Sequence, residues 1–179
     1  IEYDAKASVL QHSAVIARDE KLLAIIGIIE KEGISTEDVY RKCADIVIRK
    51  ISDWIKDESL NEEERETTLN NLKLIKEDLN KLPSDKLRKL VKKPIITSVY
   101  NASHLSIWQY IKNDLERFNL KWSKEIITLF VVAVKAAMTD VISSELNVMK
   151  IVQKLVHNYN LPYRWIMSPV SDFTVYCDN

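Results

Sequence analysis

With 179 residues, 46% of them hydrophobic and 29% charged, the chain can bury a real core, which excludes a disordered tail. Its 26 basic and 26 acidic residues cancel to a formal net charge of zero, so binding to nucleic acid or an anionic surface has to come from a local patch. Cys43 and Cys177 stand far apart with no second pair and no His at ligand spacing, which points to reduced intracellular thiols rather than a zinc site or a disulfide framework.

Residues 1–5, Ile-Glu-Tyr-Asp-Ala, read as the end of a strand, and Leu10, Ala14 and Ala17 after Ser8 continue at helical spacing. Leu22 to Ile29 is a short apolar block ending near Gly33, where periodicity does not separate strand from buried helix. Ser35 with Asp38 three residues on resembles a capping box. It opens an apolar stripe of Val39, Cys43, Ile46, Val47, Ile51, Trp54 and Ile55, which predicts a helix over about 36–56.

An acidic stretch around Glu62 then leads into Leu69, Leu72, Ile75, Leu79 and Leu82, stopping at Pro83, which predicts a solvated helical hairpin. Ser84 and Asp85 can cap a further helix bearing Lys86, Arg88, Lys89, Lys92 and Lys93, the one concentrated basic stretch of the chain. Apolar spacing predicts helices over about 102–119, 124–141 and 143–158. The run Ile126–Met138 is shorter than the roughly 18 residues a membrane span needs, and Lys135 interrupts it, so it reads as a buried helix. Pro162 then introduces two strand-like runs, Tyr163–Met167 and Phe173–Cys177, around a Ser-Pro turn. The fold class is therefore mainly α with short strands (α+β).

Two local patterns carry chemistry. In Asp4-Ala5-Lys6-Ala7-Ser8-Val9-Leu10-Gln11-His12-Ser13, a carboxylate ends a strand beside a backbone carbonyl, and these hard oxygens suit Mg²⁺, which takes few protein ligands. A lone Asp of this kind is more often structural. In Arg88-Lys89-Leu90-Val91-Lys92-Lys93-Pro94-Ile95-Ile96-Thr97-Ser98-Val99-Tyr100-Asn101, the residues Arg88, Lys92, Ile96 and Tyr100 are four apart and form one drifting ridge on a continuous helix. Cations one turn apart suit a triphosphate, and an aromatic hydroxyl can stack on a base or ribose while offering one hydrogen bond. A basic helix by itself is more often a solvated face. Pro94 removes a helical hydrogen bond, which predicts a kink or restart near residue 93.

Together and in this order, the two patterns resemble motifs A and B of single-subunit, phage/mitochondrial-type DNA-directed RNA polymerases: Asp-x-Ser/Ala-x-Ser-Gly-Leu-Gln-His and Arg-x-x-x-Lys-x-x-x-Met-Thr-x-x-Tyr-Gly. Asp38-Val39-Tyr40 resembles the family's Asp-Val-Tyr at the start of the fingers, and Trp165-Ile166-Met167-Ser168-Pro169 its later Trp-x-Thr-Pro strand. The resemblance implies a palm segment over 1–33 and a fingers domain over 34–179, parts of a right-hand polymerase. It implies Asp4 and the Ala5 carbonyl as ligands of catalytic Mg²⁺, two ions in the intact enzyme. Arg88 and Lys92 would grip the triphosphate, Tyr100 would stand at the substrate sugar, Tyr40 would lie near the same pocket, and Gln11 and His12 would support. The implied partners are a DNA template, nascent RNA and ribonucleoside triphosphates, with no membrane and no oligomer.

Val9 stands where the family has Gly, and Asn101 where Gly follows Tyr; a Tyr-Asn ending looks like the polymerases of linear mitochondrial plasmids. Few Gly and Pro and many Ile, Lys and Asn fit an AT-rich organellar genome, and the expected location is the mitochondrion. No His is followed by Asp, so the second catalytic carboxylate is expected beyond residue 179, in an internal segment inactive alone. The other readings are a degenerate polymerase remnant, a family A DNA polymerase, whose motif A normally has a Glu after the Asp, and a non-catalytic helical binding module.

Overall fold

The computed structural model of the chain describes residues 8–34, 38–57, 62–100, 102–158, 163–168 and 171–177. Asp4, Ala5, the expected first strand, Ser35 and Asn101 therefore lie outside the described residues.

Among the described residues seven helices precede a hairpin: α1 (Ser8–Ala17), α2 (Glu20–Ile25), α3 (Val39–Lys56), α4 (Glu62–Lys81), α5 (Ser84–Val99), α6 (His104–Arg117), α7 (Lys124–Asn158), β1 (Tyr163–Ser168) and β2 (Ser171–Cys177). The strands pair antiparallel from Tyr163↔Cys177 to Ile166↔Thr174, with an irregularity before Ser168↔Ser171. The apolar block left open between strand and helix is helical in its first half, Leu22–Ile25: Asp19 caps α2 by accepting from the Leu22 N–H. The helix ends at Ile25 with Ile26 as its C-cap, well before Gly33. Gly27 takes φ 76°, and the N–H groups of Gly27 and Ile28 close back on the carbonyls of Ala24 and Leu23, a turn that favours glycine.

The long helix α7 is the centre of the molecule. It packs against α1, α3, α4, α5 and α6, and Ile127, Phe130, Val131, Val134, Ala137 and Met138 are buried along it. Large aliphatic or aromatic side chains of this kind each contribute roughly 1.5–3 kcal/mol when removed from water. By length and composition alone, Lys124–Ile151 could cross a membrane, which extends the apolar run beyond the expected Ile126–Met138; half of it is buried inside the protein. The two expected helices, 124–141 and 143–158, are both present within α7, divided by non-helical backbone at Ile142 (φ −128°, ψ 34°).

Four expectations are corrected. Helix α4 is not a solvated hairpin arm, because Leu72, Ile75 and Leu79 enter the core. Trp122 donates to Asp78 on α4 at 2.7 Å and meets Phe130 edge to face at 5.3 Å, which fastens α4 to the front of α7. Helix α3 begins after Asp38, which is itself the N-cap, so the expected start at residue 36 is displaced. Helix α5 runs unbroken through Pro94 and is entered from Pro83 with no side-chain cap, so neither the restart near residue 93 nor capping by Ser84 or Asp85 occurs. Pro94 faces inward and is buried among Leu90, Val91 and Ile95, where packing offsets the missing hydrogen bond.

Candidate functional site

The basic stretch lies entirely on α5, and helical rotation divides its cations between two neighbours. Lys86 and Lys93, two turns apart, face α6: Lys86 Nζ lies 5.4 Å from the ring centre of Phe118 and Lys93 Nζ 4.2 Å from that of Tyr110. Arg88 and Lys92, one turn apart, face the start of α3, where the Arg88 guanidinium carbon lies 5.1 Å and Lys92 Nζ 5.6 Å from the centre of the Tyr40 ring. Lys89 is exposed.

Asp38 completes this second cluster. Its Oδ1 accepts from the backbone N–H groups of Tyr40 (2.9 Å) and Arg41 (3.2 Å), closing the N-terminus of α3. Its Oδ2 accepts from Arg88 Nε at 2.5 Å. Partial burial pushes the Asp38 carboxyl up, but the hydrogen bond and charge of Arg88 and the two backbone N–H groups outweigh it and hold the group below the usual carboxylate range. Burial pushes the Tyr40 hydroxyl up, against the nearby Arg88 charge, and that hydroxyl is buried without a partner. A second ion pair, Arg41 to Asp85 at 3.7 Å, spans the same two helices at their exposed ends.

Two basic groups one turn apart thus lie against the buried Tyr40 ring, and the acidic helix cap Asp38 holds one of them, Arg88. A guanidinium bound through Nε keeps its two terminal amino groups for another planar or tetrahedral oxyanion, and an ammonium over a ring keeps its N–H donors. The arrangement can take up a phosphate chain.

A protein-family model described as DNA-dependent RNA polymerase matches residues 1–166. The chain belongs to the DNA-dependent RNA polymerase family. No curated protein and no solved structure matches it. Membership places this polymerase chain among the nucleotidyl transferases of transcription, a family that uses a DNA template, nucleoside triphosphates and Mg²⁺.

Of the residues that the polymerase motifs single out, Tyr40, Arg88 and Lys92 meet between α3 and α5. Tyr100 ends α5: its backbone N–H donates to the Thr97 carbonyl at 3.1 Å, and the residue is 66% exposed. Eight residues of helix separate it from Lys92, about 12 Å of axial rise. Gln11 and His12 lie on α1, His12 exposed. Asp4 and Ala5, the expected metal ligands, lie outside the described residues, and among those described no cluster of three His, Cys, Asp or Glu is placed to hold an ion. Sequence reasoning missed the role of Asp38. It stands in the quoted Asp-Val-Tyr, but the fifty residues to Arg88 hide the pairing.

Cys43 is buried, which pushes its thiol up to about 12 and makes it an inert core residue. Among the described residues Glu145 is a buried carboxylic acid. It has no exposed surface, both its oxygens lack partners, and burial, helped by the negative charge of Asp19, pushes its carboxyl up to about 7.

Proposed function

We propose that this chain carries the nucleotide-gripping part of a template-dependent RNA polymerase, with Arg88 and Lys92 binding the triphosphate of the incoming ribonucleotide. The observation that carries this reading is the convergence of Arg88, Lys92 and Tyr40 between α3 and α5, in a chain matched to the family over residues 1–166. The Arg88 fork supplies two donors at fixed spacing and Lys92 a mobile point charge, a combination that suits a polyphosphate. Tyr40 gives both cations a rigid apolar backing. Tyr100, exposed at the end of the same helix, is the group for the sugar, and its hydroxyl is open to a ligand.

In this reading residues 1–33 belong to the palm and 34–179 to the fingers, and the Asp4 carboxylate with the Ala5 carbonyl holds Mg²⁺, the donor set being hard oxygen. Bound Mg²⁺ supplies charge neutralisation at the reacting phosphate in a two-ion centre. The Tyr100-Asn101 ending supports a mitochondrial, plasmid-encoded origin.

The test is calorimetric titration of the chain with ATP and Mg²⁺, repeated on Arg88→Ala and Lys92→Ala. Each substitution is expected to weaken binding by about tenfold or more, since each removes a charge-assisted contact. Unchanged affinity in both would sink the reading.

A further inference from the structure

Resting on that reading, we propose that Asp38 is a positioning residue for the nucleotide: it sets the direction in which Arg88 presents its guanidinium to the triphosphate. The two carboxylate oxygens do separate work. Oδ1 is committed to the N–H groups of Tyr40 and Arg41, so the carboxylate is fixed to the first turn of α3. Oδ2 takes the Nε–H of Arg88 from α5. Nε is the inner nitrogen of the guanidinium, so a partner there fixes the plane of the group while its outer edge, with the two terminal amino groups, stays available for bidentate binding of phosphate oxygens.

The Tyr40 ring supplies the second constraint. The guanidinium carbon lies 5.1 Å from the ring centre, and Tyr40 is buried and cannot follow a wandering side chain. Arg88 thus meets Asp38 at Nε and Tyr40 on its face. An arginine side chain otherwise loses much rotamer freedom on binding, and a group already oriented loses less. The depressed carboxyl of Asp38 keeps this hold charged through the neutral range.

The inference has a sign opposite to simple electrostatics. Removing a negative charge beside a triphosphate site ought to tighten binding. Removing the group that orients the arginine ought to weaken it. Asp38→Asn separates the two, because Asn caps a helix as well as Asp and keeps an oxygen for the α3 N–H groups, whereas its amide cannot accept from Arg88 when that oxygen is so used.

The experiment is calorimetric titration with ATP and Mg²⁺ of the chain and its Asp38→Asn, Arg88→Ala and doubly substituted forms. Thermal melting confirms the fold of each, and the Arg88 Nε–H resonance is followed in the first two. Asp38→Asn is expected to shift that resonance and to weaken ATP binding about tenfold in the parent chain, but by less than about twofold once Arg88 is gone, since coupled residues are not additive. Equal or tighter binding in Asp38→Asn overturns the inference. So does an equal loss in both backgrounds, which would mean that Asp38 acts through α3 alone. If Arg88→Ala and Lys92→Ala leave ATP binding unchanged, or the parent chain does not bind, the site reading itself has failed and this inference falls with it.

Discussion

Lys92 Nζ stands 5.6 Å from the centre of the Tyr40 ring. A ring attracts an exposed ammonium by only about 0.5–1 kcal/mol and takes none of its N–H donors, so Lys92 is held loosely in place and remains available to an anion. If it neutralises phosphate charge that shifts in the transition state, Lys92→Ala lowers turnover as well as nucleotide affinity, by about 2–4 kcal/mol of barrier. The comparison of kcat and KM for ribonucleotide incorporation by active polymerase carrying this substitution is the check. A rise in KM at constant kcat would confine Lys92 to ground-state binding.

The hydroxyl of Tyr40 is buried with no partner. Tyr40→Phe deletes it and keeps the ring beneath Arg88 and Lys92. An unpaired buried polar atom costs stability, so the variant is expected to be as stable as the parent or more stable by up to about 1 kcal/mol, read from urea unfolding. A clear loss of stability would show that the hydroxyl has a partner in solution.

Tyr100 is exposed at the end of α5, and Tyr100→Phe removes the group proposed to act at the sugar. Ribonucleotide use is expected to stay near normal while deoxyribonucleotide use rises, because the lost group acts on the sugar edge and not on phosphorus. The ratio of kcat/KM for the two substrates measures it. An unchanged ratio with normal activity would leave Tyr100 no part in sugar choice.

Trp122 links α4 to α7 through its 2.7 Å hydrogen bond to Asp78 and its edge contact with Phe130. Trp122→Phe loses the hydrogen bond and part of the buried area, for a destabilisation of about 1–3 kcal/mol. Chemical denaturation followed by circular dichroism is the measurement. The loss is expected without change in ATP affinity, since neither residue belongs to the Asp38–Arg88 cluster.

Glu145 makes folding pH-dependent. Its folded carboxyl titrates at about 7, above the ordinary value of 4.5, so the folded state holds its proton where the unfolded state has released it. Stability from this group is fully present below about 4.5 and is lost as pH rises towards 7, by an amount on the order of 3 kcal/mol. Melting temperatures across this window should fall for the parent chain and fall less for Glu145→Gln. Parallel curves would show that Glu145 ionises normally in the folded protein.

Much of this architecture is legible in the residues themselves. The stripe from Val39 to Ile55 specifies α3, the spacing of Leu72, Ile75 and Leu79 specifies α4, and the runs after Pro162 specify the hairpin, because helical and strand periods follow from backbone geometry alone. The polymerase motifs are legible in the same way, as ordered residue types. Tertiary structure decided the rest. Periodicity states which cations of α5 share a face but not which neighbour that face meets, so the division of Lys86 and Lys93 to α6 and of Arg88 and Lys92 to Tyr40 required the packed helices. Asp38 reads locally as the capping-box partner of Ser35, and only the approach of α5 to α3 makes it the partner of Arg88, fifty residues on. Pro94 reads as a breaker, yet α5 runs on through it with the residue buried. Local sequence determines which way a side chain leaves its own helix; what it meets there depends on how helices far apart in the chain come together to exclude water.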